Sequence, residues 1–204
     1  MTVMTPPTLL NSARWNGMRV GLLGGSFNPP HQGHVHIAHV ALHSLDLDAV
    51  WWLVTPQNPL KDVAGLLPFE ERLHLSRKIV NDPRILVSDI EKDLGSRYTF
   101  DTVQKLHQHF PKTRFVWVAG LDNALTLHKW NEWRRLLNEI CTVYITRQPA
   151  VSLIRQCPLR MQSSQKHVIL QRGGRLPLRA GTTYWLLQQK MVNISSTEIR
   201  EKRV

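Results

Sequence analysis

The run from Met18 to His34, MRVGLLGGSFNPPHQGH, decides how the rest of the chain is read. Met18 to Leu23 is a short apolar run that ends in Gly24-Gly25 and reads as a strand. After His34 the apolar positions Ile37, Ala38, Ala41, Leu42 and Leu45 recur three and four apart, the period of a helix. Between the two lie a glycine turn, a proline-stiffened loop and two histidines. The paired glycines let backbone approach a ligand closely. The loop delivers His31 and His34 to a helix start, where unpaired N–H groups and the positive end of the dipole attract phosphate. An imidazole there can donate to a phosphoryl oxygen, and as imidazolium it opposes the charge that builds on a bridging oxygen when phosphorus is attacked.

Working outward, apolar runs alternate with stretches of helical period, the mark of βαβ units on a parallel sheet. Ala49 to Val54, Arg84 to Val87, Phe115 to Ala119, Thr142 to Thr146 and Thr182 to Leu187 read as strands. Helices are expected at Phe69 to Val80 behind Pro68, at Phe100 to His109 with Thr99 as N-cap, and from Ser195 to the end. The fold class is α/β: a Rossmann-like, doubly wound, mostly parallel sheet of five to six strands with helices on both faces. Residues 1 to 17 read as a flexible extension, and 18 to 204 as a single domain with a basic variable segment at 151 to 181. Such a sheet binds its ligand beyond the carboxyl ends of its strands, where strand order reverses.

Composition narrows the partners. The chain has 204 residues, and 26 Lys and Arg against 15 Asp and Glu give a net charge of +11. Up to Glu139 there are 15 basic and 13 acidic residues, whereas Ile140 to Thr197 holds 8 basic and none acidic, so the excess is local. A basic balance suits nucleic acid, an anionic surface or a polyanionic small substrate, but no base-reading motif is present. Apolar runs stay well short of a membrane span, and the first residues lack the pattern of a secretion signal. The expectation is a cytoplasmic protein with no membrane and no nucleic-acid partner. Cys141 and Cys157 are too few and too far apart for a disulfide framework or a thiolate zinc cage. His39 and His43 have a spacing that a metal could use, but no third ligand is evident and a solvated helix face explains them, so no protein-held metal is expected.

Two segments carry a resemblance. GGSFNPPHQGH resembles the first signature of the HxGH nucleotidyltransferase superfamily, and ISSTEIR at 194 to 200 resembles its second. PQNPLK (56 to 61), RYTFDTV (97 to 103), FVWVAGLDNALTLHKWNEWRRLL (115 to 137) and ITRQP (145 to 149) are similar to the bacterial nicotinate-nucleotide adenylyltransferase family. The resemblance covers about 18 to 150 and 182 to 200. It implies in-line transfer of an adenylyl group from ATP to nicotinate mononucleotide, with release of pyrophosphate and no covalent enzyme intermediate.

By the same resemblance, His31, His34, Arg200 and Lys61 act on the reacting phosphates. Gly24, Gly25, Ser26, Phe27, Gly120, Asp122, Ser195, Ser196 and Thr197 join His31, His34 and Arg200 around ATP. Gly25, Ser26, Asn28, Asn58, Lys61, Tyr98, Thr99, Trp130 and Asn131 line the acceptor site, with Trp130 stacked on the pyridine ring and the helix start at Thr99 receiving its carboxylate. Mg²⁺ is expected as an ion carried by ATP phosphates, and a homo-oligomer is compatible with the family. Ser26 and Asn28 stand where relatives more often have Thr and Asp, so an amide replaces a carboxylate. The nearest alternative is the same fold with another acceptor, such as nicotinamide mononucleotide or phosphopantetheine. A basic nucleic-acid-binding module is the more distant one.

Overall fold

The protein is described by a computed structural model covering residues 12–56, 65–145, 157–170, 174–187 and 196–201. Seven strands form one sheet: β1 (Arg19–Gly25), β2 (Ala49–Val54), β3 (Ile85–Ser88), β4 (Arg114–Gly120), β5 (Cys141–Ile145), β6 (Lys166–Leu170) and β7 (Thr182–Leu186). Their order is β3-β2-β1-β4-β5-β7-β6, and every neighbouring pair is parallel. The helices are α1 (Gln32–Ser44), α2 (Phe69–Ile79), α3 (Ile90–Asp93), α4 (Thr99–His109), α5 (Leu121–Thr126), α6 (Trp133–Glu139) and α7 (Ser196–Glu201).

The count of seven exceeds the expected five to six by the edge strand β6, which lies inside the basic segment. Lys166 and Ile169 are exposed there and the other three residues are half-buried, so neither an apolar run nor a clean alternation marks it. Central strands behave differently. All six residues of β2 are buried, because helices cover both faces. Ala49, Trp51 and Leu53 enter a core with Val20, Leu22, Phe115 and Trp117, against α4 and α6. Val50, Trp52 and Val54 enter the opposite core with Leu23, Val116 and Val118, against α1. A period of two thus feeds two layers from one strand.

Strand order reverses between β1 and β4, and β1 pairs in parallel with β2 on one side and β4 on the other. The loops after their carboxyl ends, at Gly25 and Gly120, therefore face one crevice. At the opposite end Arg19, 2% exposed, donates through Nε to the Asp46 carbonyl (3.0 Å) and through Nη2 to the carbonyls of Leu45 (2.9 Å) and Leu176 (2.8 Å). The backbone N–H of Arg19 donates to the Asp48 carboxylate at 2.7 Å.

Upstream of β1, within the stretch read as an extension, Ser12–Trp15 forms a short 3₁₀ turn. The buried Trp15 ring meets Trp51 edge-on at 5.0 Å. Both cysteines are buried free thiols, and desolvation pushes that of Cys141 up to about 12. No helix among the described residues is long and apolar enough to cross a membrane.

Candidate active site

The loop between β1 and α1 is held by packing on both sides. A Cβ on Gly24 would lie 2.6 Å from the Trp117 ring, and one on Gly25 would lie 3.1 Å from Phe27, so both glycines allow close approach. Phe27 adopts φ 47, a left-handed conformation that bulky residues avoid. Its ring is fixed there against Trp52 (centroids 4.5 Å apart) and edge-on to His34 (4.9 Å). The Phe27 ring therefore belongs to the core, and what this position offers a nucleotide is backbone.

Helix α1 begins two residues before His34, at Gln32, with His31 as N-cap. The His31 Nδ1 accepts from the Gly33 N–H (3.1 Å), and the His34 Nδ1 accepts from the His31 N–H (3.3 Å). This is a capping box built from two imidazoles, whose rings stack at 3.7 Å. A ring that accepts at Nδ1 in its neutral form carries its proton on Nε2. Both tautomers are thus set by the backbone, and each histidine is a donor of the kind a phosphoryl oxygen requires.

Helix α7 brings the second signature onto the first. The Arg200 Nη1 donates to the Asn28 carbonyl at 2.6 Å, and the Ser196 hydroxyl donates to the Pro29 carbonyl at 2.9 Å. Segments more than 160 residues apart in sequence, with |i−j| of 167 and 172, meet at the same turn. Asn58, Lys61 and Ser195 lie outside the described residues, as does the side chain of Thr197.

Gly120 caps α5 on the other side of the crevice, and a Cβ there would lie 2.6 Å from the Asp122 carboxylate. The glycine thus leaves room for that exposed carboxylate to fold over the strand end. At α4, the N-cap is Tyr98 and not Thr99, which is the first helical residue. The first backbone bond joins the Thr102 N–H to the Tyr98 carbonyl at 3.0 Å, so the N–H groups of Thr99, Phe100 and Asp101 precede the ladder. Trp130 does not share a helix face with Trp133. It ends a 3₁₀ turn one loop earlier and packs edge-on against Trp117 at 6.1 Å. Asn131 follows it and is exposed. Because Trp117 also covers Gly24, one ring connects the glycine turn to the tryptophan of the expected acceptor site.

The amide at Asn28 has a local reason. Its Nδ2 donates to the Gly65 carbonyl (2.8 Å) while its Oδ1 accepts from the Leu67 N–H (3.0 Å). A carboxylate could fill only the second role. Sequence reading missed Arg72, which is 1% exposed and points into the same region. Its guanidinium donates to the carbonyls of Ser26 (2.6 Å), Pro56 (2.7 Å), Thr55 (2.8 Å) and Leu67 (3.0 Å). It also missed Glu91, whose burial raises its carboxyl pKa. The Thr102 hydroxyl donates to its Oε1 at 3.1 Å. An arginine in an amphipathic helix and an acid in a polar stretch ordinarily read as solvated, and nothing in their spacing says otherwise.

Among the described residues no three His, Cys, Asp or Glu side chains cluster as metal ligands. His43 Nδ1 instead bonds the His39 carbonyl (2.7 Å), and His39 Nε2 lies 3.5 Å from Asp82.

A glycine turn, two histidines at a helix start, and a distant arginine docked on the same loop form the candidate site of an α/β nucleotidyltransferase. The cytidylyltransferase-like family pattern matches residues 22–202. A Parvibaculum lavamentivorans protein is 42% identical over 91% of this chain and 92% of its own length, and one from Rhizobium meliloti is 38% identical over 91% and 99%. Both carry the name "Probable nicotinate-nucleotide adenylyltransferase". The chain belongs to the cytidylyltransferase-like family and, within it, to the nicotinate-nucleotide adenylyltransferases. In fold it is similar to the Plasmodium falciparum nicotinic acid mononucleotide adenylyltransferase complexed with NaAD, with TM-score 0.66 and 19% identity over 90% of this chain and 83% of that one.

Proposed function

We propose that the protein transfers the adenylyl group of ATP to nicotinate mononucleotide, giving nicotinic acid adenine dinucleotide and pyrophosphate, a step of NAD biosynthesis. The observation that carries this reading is the docking of Arg200 and Ser196 onto the turn that also positions His31 and His34. The relatives' shared name and the dinucleotide bound by the Plasmodium enzyme support the choice of acceptor.

In the reaction a phosphate oxygen of the mononucleotide attacks the α-phosphorus in line. The new P–O bond forms as the bond to the β-phosphate bridge breaks, and pyrophosphate leaves with that electron pair. The chain's part is to position and neutralise. The Nε2–H groups of His31 and His34 donate to phosphoryl oxygens as negative charge moves toward the leaving group. Arg200, Lys61 and the start of α7, with Ser195, Ser196 and Thr197, serve the β- and γ-phosphates, and Asp122 with Gly120 holds the ribose. Imidazole, hydroxyl and guanidinium donors suit phosphate oxygens rather than a hard cation, which fits Mg²⁺ arriving on the triphosphate and neutralising it there.

On the acceptor, Trp130 offers a ring face to the pyridine. The N–H groups at the start of α4 are donors only, so they match a carboxylate and leave a carboxamide NH₂ facing other donors. The test is pyrophosphate release with ATP and a panel of acceptors. The acid should be preferred over nicotinamide mononucleotide by roughly 10² to 10⁴ in kcat/KM. Equal values for acid and amide would overturn the acceptor assignment.

A further inference from the structure

We infer that Arg72 is a positioning residue for phosphate transfer, a buried fork that sets the turn carrying His31 and His34 against the backbone leaving β2. The inference rests on the reading that this turn holds the ATP phosphates. Four N–H donations reach four carbonyls in three separate segments: Ser26 in the signature loop, Thr55 and Pro56 after β2, and Leu67 before α2. Asn28 completes the clamp from the other side, bonding Gly65 and the N–H of the same Leu67 whose carbonyl Arg72 holds. The Thr55 N–H in turn donates to the Gly25 carbonyl at 2.9 Å, so the connection is tied to the loop at both Gly25 and Ser26.

Guanidinium geometry is required for this. A fork with fixed donor directions can span several carbonyls, whereas an ammonium is a point charge that cannot reach all four at once. Among the described residues no carboxylate forms an ion pair with Arg72, and four carbonyls take up its donors. Ser26 precedes Phe27, whose ring is wedged between Trp52 and His34. A shift at the Ser26 carbonyl is therefore passed to the His34 imidazole through packed rings.

The experiment compares full-length Arg72→Lys, which keeps the charge, with Arg72→Gln, which removes it. Both are assayed per folded molecule well below their melting temperatures. The expected result is a loss in kcat of about 10- to 100-fold in both variants, the scale of a misplaced reacting group. ATP affinity by calorimetry should stay close to wild type, and the His31 and His34 imidazole nitrogen signals should move in long-range NMR spectra. Wild-type kcat in either folded variant, with only a lowered melting temperature, would reduce Arg72 to a structural residue and overturn the inference.

A second measurement requires no variant. In the wild type the Arg72 Nε–H signal should shift when ATP is added, and an unmoved signal at saturating ATP would also overturn the inference. If the wild type binds ATP but turns over no nicotinate mononucleotide, the proposed reaction fails while the NMR measurements still decide the role of Arg72.

Discussion

Arg19 and Arg72 are two buried guanidinium groups at opposite ends of the same sheet, and they solve the same problem differently. Both spend their donors on backbone carbonyls. Burial lowers the pKa of each. At the amino end, however, Asp46 and Asp48 oppose that shift for Arg19, and Asp46 also pairs with Arg175 at 2.7 Å. At the carboxyl end desolvation lowers the pKa of Arg72, and among the described residues no acid offsets it. The amino end is a clamp of mixed charge, in which Arg175 and Arg114 add to the lowering, and it fastens residue 176 to the α1–β2 connection. The carboxyl end keeps a buried positive charge whose donors hold the backbone around the crevice, at a cost in stability. Removing a group from one end should therefore cost stability, and from the other end function.

The largest expected effect is on stability. Arg19→Met leaves three carbonyls without their donor, while Asp46 keeps Arg175 and Asp48 keeps the backbone N–H of residue 19. It should destabilise the protein by several kcal/mol in urea titration, about 1–3 kcal/mol for each buried carbonyl left unsatisfied. Turnover of the remaining folded protein should be close to wild type; a tenfold drop in kcat would break the division between the two ends.

His34→Ala tests the opposite end. It removes a donor to the transition state and should lower kcat by roughly 10² to 10³, while loss of its capping bond costs about 0.5–2 kcal/mol of stability. Near-normal turnover in the folded variant would take His34 out of the mechanism. For Trp130→Ala the loss should be smaller, about 1–3 kcal/mol of acceptor binding from stacking. ATP affinity should hold, because the ring lies beyond Trp117 from the glycine turn.

Glu91 sharpens the comparison through pH. Its folded-state pKa is raised above the ordinary value of 4.5 by desolvation. The protonated form is therefore favoured by folding, and the stability this contributes is complete below about pH 4.5 and is lost as pH climbs through the raised pKa. Glu91→Gln should remove that dependence, so that wild type and variant unfold alike in acid and the variant gains relative stability as pH rises. Parallel stability profiles from pH 4 to 8 would show that the carboxyl is not titrating differently in the two states. The smallest effect belongs to Arg175→Ala. Its pair with Asp46 is exposed on both sides and should be worth roughly 0.2–1 kcal/mol, shrinking with added salt.

Legibility in the sequence followed burial pattern. The strands β1, β2, β4 and β5 were readable because apolar runs of the right length are required when both faces of a parallel strand are covered. The edge strand β6 was not, because one side of it meets solvent and the pattern dissolves. The glycine-histidine turn was readable as a candidate phosphate site because glycine, proline and histidine constrain backbone and chemistry locally. The helix start at α4 was placed one residue late, at the limit of what terminal residues can specify. Trp130 and Trp133 are three residues apart, the spacing of one helix face, but a turn separates them.

The sequence by itself determined the α/β class, the place of the candidate phosphate turn and the chemical type of its donors, since these depend on local period, on conformational freedom at Gly24 and Gly25 and on side-chain identity. Tertiary structure alone decided that Arg200 lies on the turn that carries His31 and His34, that the Asn28 amide bonds both Gly65 and Leu67, and that Arg72 is buried. Each of these depends on a hydrogen bond whose partner comes from another element or from a specific backbone direction, and neither is encoded in the spacing of residues along the chain.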